Sequence, residues 1–275
     1  MEKGRETRER LIALTTVYRL RHLFLLLSVV VFVAIWWAIA VYVNAPQALA
    51  GPIQTAYAFA ELFQNAAIRS LFLASLESTL LSTFEGFVLA AAVGIPVGIL
   101  MGRFLVVEYM FDPWVNAWYS IPAIAFVPLV MNWAGLTSTS AMTVAFLIAV
   151  FAVIINVITG VKEISGSLID PAKAFGANQT QVLMKIILPA ALPNIILGLR
   201  YGISRALEGV IVAEMVFSVV GLGGMIFDTA DKLQMGLTIA LIIVVAFVSI
   251  GLNEGMKYLN RKVIFWKESA ALVRR

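Results

Sequence analysis

Long apolar runs occupy most of this 275-residue chain and constrain its fold more than any other feature. Hydrophobic residues make up 61% of the sequence and charged residues only 13%, far from the averages of soluble proteins. An apolar run of about 20 residues is long enough to cross the hydrocarbon core of a membrane as a helix. We therefore predict an all-α polytopic membrane protein with about six spans. The predicted spans are residues 23–43, 76–101, 121–136, 141–161, 193–216 and 236–256.

The third of these spans has the weakest pattern. It is short and contains Pro122 and Pro128. However, no charged residue lies between Asp112 and Lys162, which leaves room for two crossings joined at residues 137–140. Six crossings place both chain ends on the same side of the membrane.

The distribution of basic residues predicts which side this is. Cytoplasmic loops of membrane proteins carry an excess of Lys and Arg, and both ends of the chain are rich in them, whereas the predicted outer loops hold only Arg69 and Lys232. The net charge of +4 is therefore explained by topology and needs no nucleic-acid partner. The predicted regions are a cytoplasmic tail at 1–22, a transmembrane domain at 23–256 and a second cytoplasmic tail at 257–275.

A polar segment at residues 170–188 separates two of the apolar runs and is predicted to be a cytoplasmic helical hairpin. Asp170 is a good N-cap for a helix whose first residue is Pro171. Gly176 is then expected to end that helix in the left-handed conformation. A polar hairpin of this kind in a membrane protein is typically a contact surface for a soluble partner.

The second helix of the hairpin is predicted to begin at Asn178, with Gln181 completing a capping box. Pro189 and Pro193 are expected to end this helix and to start the next span.

The hairpin resembles the signature of permease subunits of bacterial ATP-binding-cassette importers, which reads Glu-Ala-Ala, three residues, Gly, nine residues, Ile, any residue, Leu-Pro. The chain departs from it at Asp170, which is shorter than Glu, and at Pro171 in place of Ala. The matching positions are Ala172, Gly176, Ile186, Leu188 and Pro189. Further segments resemble the branch that imports nitrate, bicarbonate, taurine and alkanesulfonates. These segments are Gly94–Gly98, Ile121-Pro122, Gly198–Arg200, Val212–Glu214 and Gly221–Gly223.

The resemblance implies a type I importer permease in a bacterial or archaeal plasma membrane. Two copies would form the pathway, two ATPase subunits would bind ATP and Mg²⁺, and an extracytoplasmic binding protein would deliver the solute. The permease itself would carry no cofactor and catalyse no reaction. The small-anion branch leaves aromatic carboxylates and pyrimidine vitamin precursors open as alternative substrates. The residues expected to contact the ATPase are Asp170, Ala172, Lys173, Gly176, Ile186, Leu188 and Pro189.

Charged residues inside the predicted spans need an explanation, because a charge at the bilayer centre is costly. Arg205 and Glu208 are three residues apart on a helix and can neutralise each other. Alternatively, they line a translocation pathway together with Glu85, with Arg205 facing an anion. Both interpretations remain open at this point. For Arg200 and Glu214, snorkelling or tertiary pairing is expected rather than substrate contact.

The chain lacks the residues that several kinds of chemistry require. The chain has no cysteine, a single histidine at His22, and no Gly-x-x-x-x-Gly-Lys-Ser/Thr loop, so thiol chemistry and this type of phosphate site are excluded. No metal site is predicted. The glycines at 221–224 are expected to form a flexible extracytoplasmic turn or a re-entrant segment. Two rival functions fit the composition: a secondary transporter or channel driven by an ion gradient, and a membrane scaffold.

Overall fold

The computed structural model describes residues 2–217 and 220–263, with the backbone alone for residues 2–22 and Ala123. All regular secondary structure in this part of the chain is helical, and the predicted N-terminal tail continues into the first span as one helix. The elements are α1 (Glu2–Val43), α2 (Pro52–Gln64), α3 (Ala66–Arg103), α4 (Leu105–Ser120), a 3₁₀ turn (Ala123–Phe126), α5 (Val127–Ala134), α6 (Ser138–Lys162), α7 (Gly166–Ala174), α8 (Gln179–Val182), a π-turn (Leu183–Ile187), α9 (Leu188–Phe217), α10 (Leu222–Asp231) and α11 (Met235–Val263).

Glycines on α3 let this helix approach α6 backbone to backbone. A Cβ atom added to Gly86 would lie 2.6 Å from the Cβ atom of Ala145, and one added to Gly98 would lie 2.7 Å from that of Val157. Gly94 and Gly102 make equivalent contacts further along α6. The residue numbers of the contacting positions increase together along α3 and α6. The two helices therefore run in the same direction, with small residues at a close interface.

Helix α6 also packs closely against glycines of α9, but with opposite polarity, and Ala145 and Val153 contact glycines of both neighbouring helices. A Cβ atom on Gly198 would lie 2.8 Å from that of Asn156, and one on Gly209 would lie 3.1 Å from the Cα atom of Ala145. Here the partner number falls as the glycine number rises, so the helices are antiparallel. Helix α6 is thus the centre of the bundle, and Val153 on it has no exposed surface.

The directions of these helices settle how many times the chain crosses the membrane. Within residues 2–217 and 220–263, five helices are individually long and apolar enough to span it. Because α3 and α6 run the same way, the segment between them has to cross back. That segment is α4 followed by the 3₁₀ turn and α5, and its two halves are bent by 96°. The described helices therefore make six crossings when this bent pair is counted as one span, as the sequence predicts.

The predicted third span at 121–136 begins too late. The crossing starts at Leu105, and Pro122 lies at its bend rather than near its start. The sequence pattern hides the first half because two acidic residues, Glu108 and Asp112, lie in α4. The Glu108 carboxylate forms an ion pair with Lys162 at the end of α6, so this charge is compensated by a residue from another helix.

At the opposite end of the bundle from this ion pair, a buried carboxylate holds α10 in place. Glu214 is only 1% exposed. The Thr79 hydroxyl, 2.9 Å from both carboxylate oxygens, donates to Glu214, and the Gly223 N–H donates to Glu214 Oε2 at 3.0 Å. The Leu222 N–H donates to Thr79 Oγ1 at 2.9 Å. We call these four residues the Glu214 network.

The Glu214 network decides between the two alternatives predicted for residues 221–224 and supports a further prediction. The glycines in this segment do not form a flexible turn, whereas a segment that folds back into the bundle is compatible with the buried start of α10. Residues 222–224 are buried, and a Cβ atom on Gly221 or Gly223 would collide with Glu214 or with the carbonyl of Ile211. These positions are glycines because α10 begins directly against α9. The expected tertiary pairing of Glu214 is confirmed.

Candidate functional site

The hairpin between α6 and α9 begins earlier than its sequence pattern predicts. Helix α7 starts at Gly166, and the Ser165 hydroxyl caps it by accepting a hydrogen bond from the Ser167 N–H at 3.2 Å. The predicted N-cap role of Asp170 is therefore wrong, because Pro171 lies inside α7 rather than at its start. Ser165 is also a good N-cap residue, and it comes first along the chain.

The turn of the hairpin is built as predicted around Gly176, whose φ is +83°. The Ala177 N–H donates to the Ala172 carbonyl at 3.0 Å, and the Gly176 N–H donates to the Lys173 carbonyl at 2.9 Å. These two bonds form a Schellman motif, which satisfies the last carbonyls of α7. The turn is therefore a defined structure rather than a loose connection.

The second half of the hairpin confirms the predicted capping box but not the predicted helix end. The Gln181 N–H donates to Asn178 Oδ1 at 2.8 Å, and the Asn178 N–H donates to Gln181 Oε1 at 2.9 Å. Pro189 does not end the helix. The π-turn immediately before it widens the backbone, which accommodates a proline inside a helix. Consequently α8, the π-turn and α9 form one continuous helical rod from Gln179 to Phe217.

One face of the hairpin packs against the ends of α3, α6 and α9. Val182 and Ile187 are 1% and 2% exposed, and the Arg103 guanidinium on α3 donates to Gln179 Oε1 at 3.1 Å. The residues predicted to contact an ATPase divide between this face and the opposite one. Ala172, Ile186 and Leu188 are half-buried toward the bundle, and Asp170, Lys173, Gly176 and Pro189 are exposed.

The exposed face also carries large apolar residues that the sequence reasoning missed. Phe175, directly before Gly176, is 93% exposed at the tip of the hairpin, and Leu168 and Met184 are 54% and 60% exposed. A large side chain next to a left-handed glycine was the available signal, because such a residue projects from the turn. A fully exposed aromatic side chain at the tip of a polar hairpin is available as an anchor for a protein partner.

A second candidate site lies on α9, inside the membrane-spanning region. Arg205 Nη1 and Glu208 Oε2 form an ion pair at 2.8 Å, as their spacing predicts. Both side chains line a cavity of about 410 Å³. Trp118 in its wall stacks nearly parallel to Phe126, with ring centroids 5.4 Å apart, and to Phe151, with centroids 6.2 Å apart. We call this space the α9 cavity.

Glu85, predicted to share the pathway, is an exposed residue on α3 and does not line the α9 cavity. Arg200 is paired within the fold. Its Nε donates to Asn253 Oδ1 at 3.3 Å, and Asn253 Nδ2 donates to Ser204 Oγ at 2.9 Å. Tertiary pairing of Arg200 is thus confirmed. Among the described residues, no group of three or more His, Asp or Glu side chains has the arrangement of a metal site.

Comparison with known proteins identifies the family. The family model described as "Binding-protein-dependent transport system inner membrane component" matches residues 94–265, which include the hairpin, α9 and most of the bundle. The chain belongs to this family. The transport-permease resemblance at residues 170–188 is therefore confirmed, and the protein is an inner-membrane permease of the ATP-binding-cassette importer type.

Two relatives show which transport permeases this chain resembles in sequence. A putative ABC transporter permease protein of Methanocaldococcus jannaschii is 33% identical over 247 residues, covering 86% of this chain and 89% of that protein. The taurine transport system permease protein of Escherichia coli is 31% identical over 247 residues, covering 87% of this chain and 88% of that protein. Both relatives are named as transport permeases.

The fold of the permease is also found in a solved structure. A chain of the MetNI methionine ABC transporter, in an inward-facing conformation, superposes with a TM-score of 0.63 at 20% identity. The match covers 73% of this chain and 99% of that chain. The predicted all-α importer-permease architecture is thereby confirmed.

Proposed function

We propose that this chain is the membrane permease subunit of an ATP-driven importer for a small solute. The solute is an anion of the nitrate, bicarbonate, taurine or alkanesulfonate group, delivered by an extracytoplasmic binding protein. Two permease copies pair to form the pathway, and two ATPase subunits bind ATP and Mg²⁺ below them. The permease contributes transport and coupling, and ATP hydrolysis takes place on the ATPase.

The continuous rod from Gln179 to Phe217 is the observation that supports this function best. One end of the rod belongs to the hairpin, and its middle carries Arg205 at the α9 cavity. At 1.5 Å of rise per residue, Gln179 and Arg205 are about 40 Å apart along the rod. The hairpin and the charged pair therefore belong to one helical segment, and no loop separates them.

The hairpin has the properties of a docking surface for the ATPase. The Schellman motif and the capping box fix its backbone, so binding would not first have to order it. Phe175 offers an apolar anchor, and Asp170 and Lys173 offer charged groups around it. Large anchors surrounded by polar groups are the usual composition of protein interfaces.

The orientation of the permease follows from its charges. With the basic tails in the cytoplasm, the hairpin is cytoplasmic and reachable by the ATPase. Helices α2 and α10 then lie on the outer side, where a binding protein would arrive. Closure of the ATPase pair on ATP would move the hairpins and shift the bundle between inward and outward openings.

Reconstituted uptake tests this function against its rivals. The permease is placed in proteoliposomes with its ATPase, and uptake of radiolabelled taurine, ethanesulfonate, nitrate and bicarbonate is measured with the binding protein present, with and without ATP. We expect uptake of at least one of these solutes only when ATP and the ATPase are present. Uptake driven by an imposed ion gradient without the ATPase would indicate a secondary transporter. A scaffold would be favoured by the absence of uptake of all these solutes and also of the solute that the binding protein itself recognises.

The substrate is tested separately on the binding protein. A thermal-shift screen with these anions, aromatic carboxylates and pyrimidine precursors identifies the class it recognises. Stabilisation by one of the last two groups alone would replace the small-anion assignment and leave the importer mechanism intact.

A further inference from the structure

The Arg205–Glu208 pair differs in position from the other ion pairs in the described part of the chain. Lys162–Glu108 and Lys257–Glu254 lie near the ends of their spans on the hairpin side. Arg205 and Glu208 lie near the middle of α9, where charged groups are costly and are usually functional. Their side chains are also not enclosed by the fold, because they are 45% and 49% exposed toward the α9 cavity.

Each member of this pair keeps unused hydrogen-bonding capacity. The ion pair joins one guanidinium nitrogen, Arg205 Nη1, to one carboxylate oxygen, Glu208 Oε2. A guanidinium has five N–H donors in a planar fork, and a carboxylate has two acceptor oxygens. Tyr119, in the wall of the same cavity, is a further partner of Arg205, which still leaves guanidinium N–H groups that can donate to a second oxyanion. Glu208 likewise keeps one carboxylate oxygen, Oε1, that can accept from a donor.

The closeness of the two charges determines what kind of solute fits. A simple anion bound to Arg205 would sit within a few ångströms of the Glu208 carboxylate, and the repulsion would offset most of the attraction. A solute with one negative and one positive group separated by a short spacer meets an opposite charge at both ends. Proteins often gain selectivity in this way, by placing a charge that repels the competing ligand.

From this geometry we propose that the α9 cavity is a binding site, within the permease itself, for a small zwitterion. The sulfonate or carboxylate of the solute binds the free edge of Arg205, and its ammonium group binds Glu208. This inference rests on the proposed transport function and narrows it from small anions in general to amino sulfonates and amino carboxylates. Inorganic anions such as nitrate are disfavoured at this site.

The walls of the cavity suit such a solute. Its volume of about 410 Å³ lies within the range of small-molecule sites, roughly 300–1,000 Å³. The stacking of Trp118 with Phe126 and Phe151 fixes the aromatic wall, so the site is largely formed before binding. Aromatic faces attract ammonium groups and exclude water, and both effects strengthen recognition of a zwitterion over a bare anion.

Two pairs of probes that differ only in the ammonium group test this proposal. Taurine is compared with ethanesulfonate, and β-alanine with propionate, by equilibrium binding to the purified full-length permease in lipid nanodiscs, without a binding protein. We expect each zwitterion to bind about tenfold tighter than its partner anion, or more, as one charge-assisted hydrogen bond would give. Equal affinities within a pair, or no detectable binding of the zwitterions at millimolar concentration, would overturn the proposal.

The variant Glu208→Gln separates a ligand-binding role from a structural one. Removing the negative charge should weaken taurine binding and at the same time tighten ethanesulfonate binding, and a loss of folding alone cannot produce these opposite changes. The matched control is Glu254→Gln, which breaks another i,i+3 ion pair away from the cavity and should change neither affinity. If Glu208→Gln weakens both probes equally, Glu208 does not contact the ammonium group and the site is not selective for zwitterions.

Because these measurements use the permease alone, their result is independent of the ATPase. ATP-driven uptake by the wild-type complex without zwitterion-selective binding would overturn this site and keep the proposed function. Zwitterion-selective binding without ATP-driven uptake would keep this binding site and overturn the proposed function.

Discussion

Replacing Thr79 by valine should release α10 from the bundle. Valine has nearly the shape of threonine but lacks the hydroxyl that lies 2.9 Å from both oxygens of Glu214 and accepts from the Leu222 N–H. In the variant, Glu214 Oε2 keeps the Gly223 N–H, whereas Oε1 and the Leu222 N–H lose their partner. The substitution therefore leaves two polar groups unsatisfied at a site where Thr79 is fully buried.

The size of the effect follows from these two groups. Leaving one buried polar group without a partner costs about 1–3 kcal/mol, while an average interhelical hydrogen bond in a membrane protein contributes only about 0.6 kcal/mol. We expect a loss of roughly 2–3 kcal/mol, the lower part of the range for two groups, because interhelical hydrogen bonds in membrane proteins are weak on average. For a chain of this size that corresponds to a lower melting temperature by about 5 °C or more.

The assay has a global and a local readout. Thermal unfolding of the purified permease gives the global loss, with Thr79→Ser as the control that keeps the hydroxyl. A cysteine at Ile226 on α10, a residue only 7% exposed, gives the local one, since maleimide should modify it faster once α10 detaches. The reasoning is refuted if Thr79→Val melts at the same temperature as Thr79→Ser and the Ile226 cysteine stays equally protected.

Three further predictions concern the hairpin and the topology. Gly176→Val should strain the left-handed turn by about 1–3 kcal/mol and reduce co-purification of the ATPase. The control Gly255→Val, at a glycine that is also in open space but in an ordinary helix, should not reduce it. Equal ATPase recovery with both variants would count against the hairpin as the docking site. Phe175→Ala should weaken ATPase binding about tenfold or more without changing the melting temperature, in line with truncation of an interface anchor; unchanged ATPase-binding affinity would contradict this. In this cysteine-free chain, a cysteine at Gln47 should react with an impermeant maleimide in intact cells and one at Gln179 should not, and the reverse pattern would invert the topology.

The parts of the hairpin that the sequence predicts well are those formed by neighbouring residues. Gly176 and the capping box of Asn178 and Gln181 depend on contacts within five residues, so the local pattern contains the information. The N-cap was misplaced because Ser165 and Asp170 are both good capping residues, and the local pattern does not decide between them. The continuous helix through Pro189 depends on a π-turn, which has no simple sequence pattern.

Features formed by distant residues were predictable only in part. The spacing of Arg205 and Glu208 predicts their ion pair, but the α9 cavity beside them needs aromatic residues from α4 and the 3₁₀ turn, which no local pattern brings together. Similarly, the glycines at the start of α10 have the pattern of a flexible turn, and only their contacts with distant Thr79 and nearby Glu214 show that they are buried. Helix α4 was missed for the same reason, because Glu108 is paired with a residue far along the chain.

The glycine contacts of α6 with α3 and with α9 restrict where this molecule can change shape. Where backbones touch, as at Gly98 on α3 and Gly198 on α9, sliding one helix past another would drive side chains into main-chain atoms. Close-packed interfaces of this kind do not deform gradually. Helices α3, α6 and α9 therefore cannot slide past one another easily and are expected to move as a single body. In the proposed assembly of two permease copies, a solute would then pass at the margin of this body, along the face of α9 that carries Arg205. That route would widen or close as the two bodies tilt against each other.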